Sequence, residues 1–414
     1  MEFFSKYKKI LIIFSFLVFV ILFGYLIFRI FFKPLIAPQH IGPTNQPATT
    51  TPNGLPQAGT NTRTNIETNN QKQSPQPTQL PKTVASSIAQ GGLTQTTPVN
   101  KTPSLGVTLS TDGASLQYYN PQDGKFYRVN KDGEITPLVD KVFHQVEKII
   151  WSPNKEKAIL EYPDGANIIY DFKTKKQITL PKHWQDFDFS PDGNKIAMKS
   201  IGLTPENRWL AVTNTNGTQV RALESLGENG DRVQVAWSPN NQIVAMFTEG
   251  IDFNRQNLYF IGLHHENFKS TVIEGRGFQG KWSPKGDKLL YSVYSSRTDQ
   301  KPTLWIVDAQ GDNIGRGRKN LKINTWANKC TYVNDTEIYC AVPEELPEGA
   351  GMFPELAAST KDRLYKINTV TGLKKLVAVP DGTYNMSNLI VSKNGYYLYF
   401  TDKTTKRIYK IKLK

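Results

Sequence analysis

This chain is poor in the residues with which most enzymes do their chemistry. It has only two cysteines and five histidines among 414 residues. No His-Glu-x-x-His segment occurs, and no Gly-x-Ser-x-Gly elbow, so neither a zincin-type helix nor a hydrolase-type nucleophile turn is written in it. Aromatic residues are missing altogether from residues 34–104. Beyond residue 105 no apolar pattern of helical period is sustained. The net charge of +14 is not gathered into a basic stripe interleaved with aromatics. Its densest run is the short Gly315–Lys319 segment GRGRK, and nucleic acid is therefore not an expected partner.

One long apolar run is present. Residues 10–28, ILIIFSFLVFVILFGYLIF, carry no charge and are long enough to cross a hydrocarbon core of roughly 30 Å as a helix. Arg29 can snorkel, which extends the expected transmembrane helix to residues 10–32. A cleaved signal peptide would have a shorter apolar region and a small-residue cleavage site. No cysteine lies nearby to take a lipid. Lys6, Lys8 and Lys9 precede the run, against Arg29 and Lys33 after it, so residues 1–9 are expected to be a cytoplasmic tail. Residues 33–104, dominated by Pro, Thr, Asn and Gln, cannot bury enough apolar surface to offset ordering and read as a disordered linker. Such a linker reaches about 45 Å, which suits a tether across an envelope space. The expected location is the plasma (inner) membrane, single-pass, with residues 105–414 outside the cytoplasm.

Those residues repeat. IIWSPNKEKAIL from Ile149, FDFSPDGNKIAM from Phe187, VAWSPNNQIVAM from Val235 and GKWSPKGDKLLY from Gly280 share one pattern. Weaker copies stand at Ser110, at Val333 and at Ser392. Successive copies are 42, 38, 48, 45, 50 and 59 residues apart, a loose period typical of propeller blades. In each of the four strong copies an aromatic-Ser-Pro ends a strand, and an Asp/Asn/Gly turn follows. An apolar strand comes next, then a third such as LYFIGL or TLWIVDAQG, and often a short fourth such as KQITL. The expected fold is all-β, a β-propeller of seven four-stranded blades. The last copy ends after three strands, so a segment within 92–104 is expected to supply the missing fourth and close the ring.

The WSPDG-type turns, followed by third strands as in Tyr291–Asn313, resemble TolB-like propellers and the propeller of dipeptidyl-peptidase-type enzymes. The resemblance covers about 105–414 and implies the fold. For TolB-like proteins it also implies protein contacts in the envelope. Peptidase members carry their catalytic groups in a following hydrolase domain, which this sequence does not contain before Lys414.

Gly275–Lys281, GRGFQGK, matches G-x-G-x-x-G and the start of a phosphate loop, but Trp282 stands where Ser or Thr belongs and a strand is expected next. His264, His265 and Glu266 fall in an expected turn, and His144 and His183 stand alone. Asp112, Asp192 and Asp287 belong to hairpin turns. No catalytic, cofactor-binding or metal-binding residue is therefore assigned. Cys330 and Cys340 flank a turn centred near Asp335 and fall opposite each other on adjacent strands, so a disulfide is expected. The longest interval holds an insertion, residues 342–360, in which Glu344, Glu345, Glu348, Met352, Phe353 and Glu355 form an acidic, partly apolar candidate partner loop.

The expected function is protein binding or scaffolding at the cell envelope. The alternatives are a lyase- or cyclotransferase-like enzyme with its site at the central channel, marked by convergent His and carboxylates, or a structural envelope component.

Overall fold

A computed structural model of the chain describes residues 16–25 and 84–414. The chain divides into two units, Met1–Pro77 and Thr78–Lys414. In the first, residues 16–25 are helical, with the Phe19 and Phe23 rings stacked one turn apart. No helix among the described residues is long and apolar enough to cross a membrane. The remainder of the span expected over 10–32, the tail 1–9 and most of the linker lie outside the described residues.

The second unit is a ring of seven sheets. Each blade begins with an inner strand, and these are Leu105–Leu109, Lys148–Trp151, Trp184–Phe189, Val233–Val235, Arg276–Trp282, Cys330–Tyr332 and Met386–Val391 for blades 1 to 7. Most of these first strands touch the first strand of the next blade, including blade 7 with blade 1, which places them around a common axis. The remaining strands follow outward in chain order, antiparallel, except at the outer edges of blades 6 and 7.

The recurring serine explains the repeat. In blades 2 to 5 and 7 its hydroxyl accepts the backbone N–H five residues on, in Lys157, Lys195, Ile243, Lys288 and Tyr397, at 2.9–3.0 Å. It donates to an Asn or Asp in the same turn, as Ser238 does to Asn240 at 2.7 Å. The serines are buried, so each N–H would lose its partner without the hydroxyl. Gly193, at φ +71°, fills the left-handed position such a turn requires.

Apolar faces meet between blades. One buried cluster joins Tyr119 and Phe126 of blade 1 to Leu160 and Tyr170 of blade 2. Another joins Met246 and Leu258 of blade 4 to Leu289 and Tyr291 of blade 5. The ring closes through Val107, Leu116 and Tyr118 of blade 1 against Tyr399 and Ile408 of blade 7. Because a blade cannot bury both faces alone, the ring is the smallest stable unit.

Blade 7 takes its outer strand from far upstream. Thr97–Pro98 pairs antiparallel with Ile408–Lys412, Thr97 opposite Lys410. Just before it, Leu93–Thr94 adds a fifth, parallel strand to the edge of blade 6. Cys330 and Cys340 face each other across the first two strands of blade 6 and form a disulfide, with Cα atoms 4.0 Å apart. Both sulfurs are fully buried in the core between blades 5 and 6.

Candidate functional site

Antiparallel alternation puts all turns between second and third strands on one face of the ring, called here the hairpin face. On three neighbouring blades these connections are long and bound together. In blade 4, strands Ile243–Asp252 and Arg255–Gly262 project as a hairpin whose tip exposes Ile251 and Phe253 at 44% and 60%. Asn254 in that tip accepts the backbone N–H and the hydroxyl of Ser296 in blade 5, both at 2.9 Å. The blade 5 connection in turn receives the insertion of blade 6, since Gly349 and Gly351 donate to the carbonyls of Asp299 and Gln300 at 3.0 and 2.8 Å. A Cβ on Gly351 would fall 2.5 Å from Tyr294 and 2.6 Å from the Gln300 carbonyl, so this approach requires glycine. The result is a ridge across blades 4, 5 and 6.

The insertion is anchored from beneath by a buried polar cluster. Lys329, in the turn entering blade 6, donates to both carboxylate oxygens of Asp362 at 2.9 and 2.7 Å and to Asn385 Oδ1 at 2.9 Å. The Lys329 and Asp362 side chains are only 3% and 0% exposed. Asn385 donates to the carbonyls of Ala357 and Ala358 in the insertion, at 3.1 and 2.9 Å. The Met386 N–H completes the Asp362 carboxylate at 2.6 Å. Burial pulls the Lys329 ammonium down and pushes the Asp362 carboxyl up, while their mutual attraction opposes both shifts. Trp326 and Leu346 pack against Ala350 and Ala357 above the cluster. A buried pair with every partner in place is costly to break, so it specifies one position for the insertion.

The candidate partner-loop residues divide accordingly. Glu344 is held by Lys361 and Arg363 at 3.0 and 2.8 Å, which lowers its carboxyl, so it belongs to the base of the loop. Met352 is half-buried. Glu345, Glu348, Glu355 and Phe353 face outward. Leu356, 47% exposed, joins Phe353 at the crest and was not singled out from the sequence.

The channel is the second place where side chains converge. Each inner strand presents an edge with no neighbouring strand, and its N–H and C=O groups need partners. Most polar channel residues supply them across blades. The Trp151 and Trp282 indoles donate to the carbonyls of Gly106 and Ala236 at 2.6 and 3.0 Å. Gln234 exchanges two bonds with Gly280, both 3.2 Å. Asn388 donates to the Val107 carbonyl at 2.8 Å, and Asp188 accepts the Trp237 N–H at 2.7 Å. Lys281 donates to the Cys330 carbonyl at 2.6 Å, and burial beside this neutral partner lowers its ammonium to about 8. Between blades 2 and 3 the link is ionic, Asp186 of blade 3 meeting Lys148 of blade 2 at 3.6 Å while Lys199 of its own blade holds it at 2.8 Å.

The other sequence candidates fall elsewhere. Gly275 lies in the crossing from blade 4 to blade 5, and Arg276–Trp282 is the inner strand of blade 5, so no helix follows to cradle phosphate. His264 and His265 occupy the turn after Gly262, where the Glu266 carboxylate accepts the His264 N–H at 2.8 Å. His144, His183, His264 and His265 are all exposed and lie on crossings or turns rather than on strands. Asp112 and Asp192 accept backbone N–H groups within their turns, while Asp287 accepts the Ser283 hydroxyl. Among the described residues no group of three or more His, Cys, Asp or Glu could hold a metal ion.

No family model matches the chain, and no curated protein does. Solved structures resemble it in fold. An oligogalacturonate lyase in complex with manganese is similar with a TM-score of 0.49 and 13% identity, over 77% of this chain and 93% of that one. Hydrazine synthase of Kuenenia stuttgartiensis is similar with a TM-score of 0.49 and 15% identity, over 80% of this chain and 98% of that one. Virginiamycin B lyase from Staphylococcus aureus is similar with a TM-score of 0.48 and 14% identity, over 77% of this chain and 98% of that one. At these identities the likeness concerns the fold alone.

Proposed function

We propose that the chain is a membrane-anchored, extracytoplasmic propeller whose hairpin face binds a protein partner in the cell envelope, as a scaffold in the manner of the TolB-like propellers it resembles. The observation that carries this reading is the ridge across blades 4 to 6. Exposed Ile251, Phe253, Phe353 and Leu356 crown loops that are fixed rather than loose, with Glu345, Glu348 and Glu355 around the crest. An apolar crest with a charged rim is the composition of a protein-binding patch. Pre-ordering by the Lys329–Asp362–Asn385 cluster lowers the entropy cost of docking. The uncharged run 10–28 and the aromatic-free linker support the anchor and tether. The four described histidines lie exposed on loops of different blades, so the alternative of a channel lyase with convergent His and carboxylates gains no support from them.

The test is photocrosslinking in intact cells of the source organism, with a photoreactive residue at Phe253 or Phe353 in the full chain. A matched probe at Lys393, on the opposite face, serves as control. Discrete protein adducts from the two hairpin-face positions alone are expected. Equal adduct patterns from both faces, or none, would overturn the proposal.

A further inference from the structure

Once the channel residues that stitch blades together are set aside, what remains uncommitted is of one sign. A cavity of about 530 Å³ runs along the channel wall where blades 7, 1 and 2 meet. Lys155, Lys403 and Lys406 line it, together with Thr108, Asn388 and Thr401, and no Asp or Glu is among its lining residues. None of these three lysines is in an ion pair among the described residues. The nearby Asp402 is already engaged by the N–H groups of Asn385 and Thr405 and by the Thr405 hydroxyl. Thr401 is 8% exposed, and its buried hydroxyl has no hydrogen-bond partner among the described residues.

Lys155 and Lys406 both take left-handed backbone angles, with φ at +59° and +57°. Lys155 stands at the turn position that Gly113, Gly193, Gly286 and Gly395 fill in other blades. A long side chain there is strained, and glycine is what the turn itself favours. Desolvation also lowers its ammonium, against the pull of Asp188. Like charges around one cavity repel, and a strained lysine among them is retained against both costs.

We propose that this cavity binds an elongated polyanion, with Lys155 holding one end and Lys403 and Lys406 the other. The shape follows from topology. Lys155 lies in a turn between first and second strands, and the other two lysines in a turn between second and third strands, on opposite faces of the ring. The Thr401 and Thr108 hydroxyls offer donors between them. Phosphate chains and polycarboxylates share the chemistry required. The proposal does not rest on the protein-partner reading.

Calorimetric titration of the full-length protein in detergent tests it, with tripolyphosphate, 1,2,3,4-butanetetracarboxylate and orthophosphate as probes. Either elongated anion should bind, and orthophosphate at least roughly ten-fold more weakly. Lys155→Gly, and separately the double variant Lys403→Gln with Lys406→Gln, should each weaken binding by about ten-fold or more, the loss of a charge-assisted contact. Lys393→Gln should leave it unchanged. Because glycine suits the turn, Lys155→Gly should melt no lower than the parent, which separates lost binding from lost fold. No binding of either elongated anion overturns the proposal. So does binding that Lys393→Gln weakens as much as Lys155→Gly, since that marks diffuse attraction to a basic protein.

Discussion

Asp188 shows how one side chain can serve the architecture at a cost that pH reveals. It bridges the inner strands of blades 3 and 4 through the Trp237 N–H, and burial raises its carboxyl from 3.8 to about 6. The folded protein therefore holds this proton more tightly than the unfolded chain does. Its contribution to stability is present at low pH and is lost as pH rises from 3.8 to about 6. Melting temperatures of the parent relative to Asp188→Asn should fall through that window and stay level above it. A difference that does not change with pH would show that the carboxyl titrates as in the unfolded chain. The recurring serines are a contrasting case at the same scale. Their spacing was readable because the hydroxyl, the turn residue and the N–H it accepts are all local. Nothing local announces Lys329, whose partners Asp362 and Asn385 lie 33 and 56 residues away.

Among the elements, blade 6 departs most from the repeat. Val333 replaces the turn serine, and Asn334 takes over by accepting the Thr336 and Glu337 N–H groups at 2.9 Å. The disulfide lies between the same two strands, and its cysteines could be paired from the sequence because a hairpin turn fixes which residues face each other. Closing so short a loop stabilises by roughly 2–3 kcal/mol. Reduction should add two protons to the intact mass, and the double Cys330→Ala, Cys340→Ala variant should melt several degrees lower. A free thiol count of two in the unreduced protein would contradict the bond. The closing strand was legible for a different reason, because the last blade stops at its third strand, Ile408–Lys412. The extra strand Leu93–Thr94 on blade 6 was not, because two residues carry no pattern of their own. Deleting 92–104 removes both, so a sharp drop in melting temperature is expected, and an unchanged melt would mean that the ring closes without them.

At the scale of the whole molecule, the fold was legible while the ridge and the channel cavity were largely not. A propeller brings together one residue from each of several blades. Lys155, Asn388, Thr401 and Lys403 share a cavity although more than two hundred residues separate the first from the rest. No linear motif forms under that geometry, and a sequence shows only isolated lysines. The insertion was visible as an irregular interval, but its partner across the ridge, the tip of blade 4, looked like an ordinary hairpin.

Thr97–Pro98 also gives the ring a mechanical direction. The chain enters the propeller through two very short strands that seal blades 6 and 7, and any pull from the segment before residue 84 meets the single bonds of Ala89 to Lys412 and Gly91 to Val377 before it reaches these strands. Two-residue strands peel open a bond or two at a time, whereas longer strands share the load. Tension would therefore open the clasp before it disturbed the ridge on blades 4 to 6. Held at that end, the propeller would yield by releasing its seal and keep its outward loops in order until the ring itself gave way.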